Sequence, residues 1–206
     1  MINISELELS EICDYLGESY PIKIKPVLGG NIHSSWSLEF KTLKIFVKKN
    51  ISKNFFLKFE KHCLKNLNYY IDQEYLQTPN IIAYKKIRNA EILMLDWIDM
   101  QNQDQKKLGK GLAIMHTNSQ RRQINKYGYS IKGFIGSNPQ IKGWDENWAE
   151  FYIKYRLNPQ LSYLDQKILS SKVIEDLKSK IKLILSEYSP KSTLVHGDLW
   201  SGNIGV

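Results

Sequence analysis

Apolar residues recur at three- and four-residue spacing near the start of the chain. Leu9, Ile12, Tyr15 and Leu16 share one face, and Ser5 and Glu8 stand ahead of them at capping-box spacing. This predicts a short helix over 5–16. The period then drops to two. Ile22 and Ile24 lead into Leu28-Gly29-Gly30-Asn31, after which Trp36, Leu38 and Phe40 alternate with polar neighbours. Past a Lys41-Thr42 turn, residues 43–47 read as another strand that ends at Lys48. Helical spacing returns over 54–70, through Phe55, Phe59, Cys63, Leu67 and Tyr70, and two further strands are expected around 81–84 and 92–95.

The character changes from residue 104. Leu108, Leu112 and Met115 mark a helix, a loop rich in Gly, Asn and Pro is expected over 120–145, and two helices follow near 145–156 and 160–188. A short strand at 193–195 then runs into His196-Gly197-Asp198. The sum is an α+β, two-lobed chain: residues 1–98 form an antiparallel sheet with one inserted helix, and residues 99–206 form a mainly helical lobe.

Composition narrows the class. The 206 residues are 42% hydrophobic and 24% charged, which is ordinary globular usage. No stretch approaches the roughly eighteen uninterrupted apolar residues of a membrane span, and the acidic N-terminus does not read as a signal peptide. Two cysteines, Cys13 and Cys63, fall on helical faces and are expected to be free thiols. A cytoplasmic protein is the simplest expectation. The net charge of +8 draws anions such as nucleotide phosphates. Its lysines are scattered, with no long basic tract interleaved with aromatics, which argues against nucleic acid as the partner.

Four segments carry candidate chemistry. His196-Gly197-Asp198-Leu199-Trp200-Ser201-Gly202-Asn203 fits a kinase catalytic loop, in which an aspartate orients the acceptor hydroxyl and takes its proton. An asparagine further along turns back to a metal on the phosphates, so Asp198 is the candidate base and Asn203 the candidate Mg2+ ligand. A polar turn after a strand is the bland alternative. Lys48, at the end of a strand, is placed to hold the α- and β-phosphates of ATP, with Glu60 on the following helix to fix it. Either residue alone would be an ordinary surface charge; the order strand lysine, helix glutamate, catalytic loop is what singles them out. Gly29 and Gly30, ahead of Lys48, let the backbone approach phosphates closely, although a plain hairpin turn uses the same residues. Leu95, Asp96 and Trp97 close an apolar strand where a kinase places the hinge that pairs with adenine.

Taken in order, these motifs resemble the aminoglycoside-phosphotransferase-like, protein-kinase-like superfamily and, within it, the fructosamine/ketoamine kinase family. Trp200-Ser201-Gly202 looks like that family's version of the catalytic loop. The block Phe134-Ile135-Gly136-Ser137-Asn138-Pro139-Gln140, with Gly143-Trp144, Trp148-Ala149-Glu150-Phe151-Tyr152 and Arg156-Leu157-Asn158-Pro159-Gln160-Leu161, is the second feature that selects it. The bland alternative for this block is an aromatic core with turns. The resemblance covers essentially the whole chain. It implies ATP-dependent phosphorylation, with Mg2+, of a sugar hydroxyl in ketoamines such as ribulosamine, erythrulosamine or fructosamine on amines or protein lysines, a deglycation repair step.

Two departures stand out. Asn31 occupies the glycine loop where some family members carry a cysteine. The family pattern also continues beyond Asn203 into a second metal-binding aspartate, whereas the sequence ends at Val206, so on this reading the C-terminal lobe is incomplete. Two alternatives therefore stand beside a ketoamine kinase: a kinase of another small alcohol (an aminoglycoside or a choline-like compound), and a non-catalytic nucleotide-binding pseudokinase.

Overall fold

Alternation of apolar and polar residues gives each strand one face to bury, and the first half of the chain resolves this with an antiparallel sheet. The structure, a computed structural model, describes residues 3–28, 33–99, 104–122, 125–164, 169–199 and 204. The chain divides into two units, one of residues 1–115 with 195–206 and one of residues 116–194.

The first unit is built on five strands in the order β1-β2-β3-β5-β4. They are β1 (Lys23–Pro26), β2 (Ser34–Glu39), β3 (Lys44–Asn50), β4 (Ile81–Ile87) and β5 (Ala90–Asp96), and every neighbouring pair is antiparallel. Register sorts their side chains between two faces. Trp36, Leu38, Ile45, Val47, Ile92 and Met94 form one cluster with Leu9, Ile12 and Cys13 of α1 (Glu6–Leu16). Burying Leu9 and Ile12, 2% and 0% exposed, stabilises by about 1.5–3 kcal/mol each. On the opposite face Leu93 and Leu95 meet Leu57 of α2 (Phe56–Tyr70), with Phe46, Leu64 and Tyr84 packed around them. With a helix on each side, β5 is buried from Ala90 through Leu95 and has no solvent face to mark by alternation.

The capping box expected for α1 is present: Ser5 Oγ accepts from the Glu8 N–H, and the Glu8 carboxylate accepts from the Ser5 N–H at 2.7 Å. A third helix, α3, spans Gln105–Arg122.

Beyond α3 the chain departs from the sequence expectation in three places. The expected loop over 120–145 holds two antiparallel ribbons, β6 (Tyr127–Tyr129) with β9 (Gly143–Asp145) and β7 (Gly133–Ile135) with β8 (Asn138–Gln140). Three-residue strands are too short to show alternation. Gly143 has φ +156°, and a Cβ there would lie 2.2 Å from Cε1 of Tyr155, so only glycine fits. The helix near 145–156 is α4 (Trp148–Tyr152), capped by Asn147, and it passes into a π-helical turn at Ile153–Leu157 and then α5 (Asn158–Leu161). Trp148, Phe151, Tyr152 and Tyr155 pack ring to ring along it at 5.6–5.9 Å. The helix expected over 160–188 is instead α5 and α6 (Ser171–Ser186).

The third departure is at 193–195, which pairs with no strand among the described residues. There the Leu194 N–H donates to Ser119 Oγ at 2.9 Å and Thr193 Oγ1 donates to the His116 carbonyl at 2.9 Å. Side chains and carbonyls of α3 satisfy this segment in place of a sheet ladder. Among the described residues no helix is long and apolar enough to cross a membrane.

Candidate nucleotide-binding site

Lys48 sits on β3 at a position whose side chain faces α2. Its Nζ donates to Glu60 Oε1 at 2.7 Å, and the two side chains are 25% and 27% exposed. Glu60 stands one turn into α2, so strand register and helix placement together bring the two charges into contact across twelve residues of sequence. A half-buried, charge-assisted pair of this kind holds an ammonium group in place while leaving part of it open to an anion. The sequence expectation named both residues, and the structure brings them together.

Phe46, two residues earlier on the same face, was not singled out by the sequence. Its ring lies 5.9 Å from Lys48 Nζ and 6.5 Å from the ring of Trp97. Lys48, Phe46 and Trp97 thus follow one another along one side of the sheet. Lys44 Nζ sits 3.7 Å over the Trp97 ring, and Trp97 Nε1 donates to Asp99 at 2.8 Å. These contacts fix the indole plane beside the end of β5.

The other two hinge candidates have internal roles. Leu95 is buried, 2% exposed, against α2. The N–H of Asp96 donates to the Asn80 carbonyl, and its carboxylate accepts from the Asn80 backbone and side chain at 2.6 and 2.7 Å.

His33 is a further neighbour that the sequence reading passed over. It packs 5.4 Å from Phe56, and its Nδ1 is buried without a hydrogen-bond partner among the described residues. Burial pushes its imidazole below the ordinary value; Glu60 opposes this and Lys48 adds to it. Burial thus favours the neutral ring beside the ion pair.

Asp198 follows Gly197, whose φ of +86° turns the chain in the left-handed region. Its N–H donates to His196 Nδ1 at 3.4 Å, and its side chain is exposed. Gly29 and Gly30, proposed for the phosphates, and Asn203, proposed for the metal, lie outside the described residues. Among the described residues no group of three or more His, Cys, Asp or Glu is arranged to hold a metal ion.

An antiparallel sheet whose third strand carries a lysine tied to a helix glutamate, followed later by a His-Gly-Asp loop, defines a kinase-like protein. Solved structures agree on the fold. A candidate fructosamine-3-kinase from Haemophilus somnus superposes with a TM-score of 0.76 at 21% identity, covering 95% of this chain and 66% of that one. An aminoglycoside phosphotransferase in complex with AMP-PNP and hygromycin B gives 0.59 at 12% identity, covering 96% and 66%. A probable ketoamine kinase of Vibrio parahaemolyticus is 27% identical over 201 residues, 95% of this chain and 68% of its own length. The family model for fructosamine kinase matches residues 7–206, and the chain belongs to the fructosamine kinase family, a family of phosphate-transferring enzymes. It spans about two thirds of the length of these relatives.

Proposed function

We propose that this chain carries the nucleotide-holding and acceptor-activating parts of an ATP-dependent ketoamine kinase. The reaction moves the γ-phosphoryl group of ATP onto a sugar hydroxyl of a ketoamine, the adduct of a sugar with an amine or a protein lysine. The acceptors are ribulosamine, erythrulosamine or fructosamine adducts, and the reaction is a deglycation repair step. The observation that carries this reading is the 2.7 Å Lys48–Glu60 pair between β3 and α2.

Lys48 holds the α- and β-phosphates and Glu60 keeps its ammonium from swinging away. Gly29 and Gly30, which carry no side chain to keep a phosphate away, are assigned to the phosphates, and residues 95–97 to the adenine. Asp198 orients the acceptor hydroxyl and takes its proton as the new oxygen–phosphorus bond forms. Asn203 offers a carbonyl oxygen, a donor that suits Mg2+. When bound, that ion neutralises charge on the phosphates. Family membership supports ATP and a ketoamine as the two substrates.

The test is transfer of labelled phosphate from ATP to a ribulosamine–lysine peptide. It is measured with this chain and with a form lengthened to the span of the relatives. Asp198→Asn should lower the rate by about 10³-fold or more while ATP binding persists. Lys48→Ala should weaken ATP binding about tenfold or more. Transfer to an aminoglycoside or choline instead, or ATP binding without transfer in the longer form, would overturn the ketoamine reading.

A further inference from the structure

Glu91 is the one charged side chain in the buried run of β5, 4% exposed, and it forms no ion pair among the described residues. Each carboxylate oxygen instead accepts two hydrogen bonds. Oε1 takes the Tyr84 hydroxyl at 2.6 Å and the Lys58 N–H at 3.2 Å; Oε2 takes Asn50 Nδ2 at 2.6 Å and the Leu57 N–H at 3.4 Å. Leu57 and Lys58 open α2, whose N-cap, Phe55, contributes no side-chain hydrogen bond. The cap of α2 therefore comes from a strand more than thirty residues later in the chain.

The placement matters for the site. Glu91 pairs in register with Asn50 on β3, two residues beyond Lys48 on the same face. Glu60 lies less than one turn past Lys58 on α2. One carboxylate thus ties the first turn of the glutamate-bearing helix to the strand that bears the lysine. A local Ser or Asp at position 55 would satisfy the same helix amides without burying a charge, yet would leave the helix free to pivot on the sheet.

We infer that Glu91 is a positioning residue for the Lys48–Glu60 pair, locking α2 against β3 and β5 so that Glu60 meets Lys48. This rests on the nucleotide reading of that pair. Glu91 touches no substrate; it acts on phosphate binding through α2.

Titration calorimetry of the 206-residue chain with Mg-ATP, and in parallel with adenosine, tests it. Glu91→Gln turns an amide N–H toward donors and should weaken ATP about tenfold while adenosine affinity stays within twofold. Adding Phe55→Asp supplies a local cap and should raise the melting temperature without restoring ATP affinity. In a Glu60→Gln background, Glu91→Gln should cost nothing further, because both act on one contact. Recovery of ATP affinity by Phe55→Asp, additive losses with Glu60→Gln, or an unchanged ATP affinity in Glu91→Gln would overturn the inference. If Glu91→Gln does not fold, Tyr84→Phe removes one donor and should weaken ATP about threefold, with the same dependence on Glu60; no change there overturns it equally. Lys48→Ala separates the two levels: if it leaves ATP affinity unchanged, the nucleotide reading itself has failed.

Discussion

Adjacent lysines on β3 end on opposite faces of the sheet. Lys48 meets Glu60 of α2, and Lys49 meets Glu8 of α1, each at 2.7 Å. Residue type is the same and pleat alone assigns the roles. His33 adds a pH signature to the Lys48 side. Its imidazole is held below the ordinary value of 6.5 by burial, so the native state keeps it neutral. The stability this contributes is present above that value and is lost as pH falls through it, because the unfolded chain takes up the proton first. The melting temperature should therefore fall between about pH 7 and pH 5.5, and His33→Gln should flatten that decline in a scanning-calorimetry series. Equal slopes for the two chains would show that His33 does not titrate against burial.

At the scale of elements, α1 is held to the sheet by more than apolar contact. Glu8 and Lys49 are both 8% exposed at the side chain, and Lys49 Nζ also donates to the Asn3 carbonyl at 3.0 Å. Burial alone would raise the Glu8 carboxyl, but hydrogen bonds from Lys49 and Ser5 outweigh it and hold it below the ordinary range. Breaking one half of such a pair leaves a buried charge uncompensated. Lys49→Met should cost about 3–5 kcal/mol in urea denaturation, and Lys49→Met with Glu8→Leu much less. If the double variant is no more stable than the single, the loss comes from α1 packing and not from the stranded carboxylate. The same helix shows how far local pattern reaches: its capping box and apolar face were both legible, since each is set within one turn of chain.

For the whole molecule, a net charge of +8 favours anionic ligands at a distance, beyond any single contact. Raising ionic strength from about 0.05 to 0.5 M, which shortens the screening length severalfold, should weaken ATP binding several-fold and leave adenosine binding nearly unchanged. A salt-independent ATP affinity would confine the attraction to the Lys48 pair itself.

α1, α2 and the strands of the first unit were legible before folding, because amphipathic periods of two and 3.6 are local properties of the chain. The order of Lys48 and Glu60 along the chain also pointed to the pair that the structure brings together, while Asp198 stays a proposed base. Tertiary structure alone decided the rest. The β6–β9 ribbon depends on Gly143 yielding its space to Tyr155, a contact between residues twelve positions apart in sequence. The segment at 193–195 is extended in composition but is bonded to Ser119 and His116, so it never becomes a strand. Glu91 fell outside the strand expected around 92–95; only the folding of β5 against α2 turned it into a helix cap. Periodicity reports which face a residue occupies, whereas the partner on that face is fixed by long-range packing.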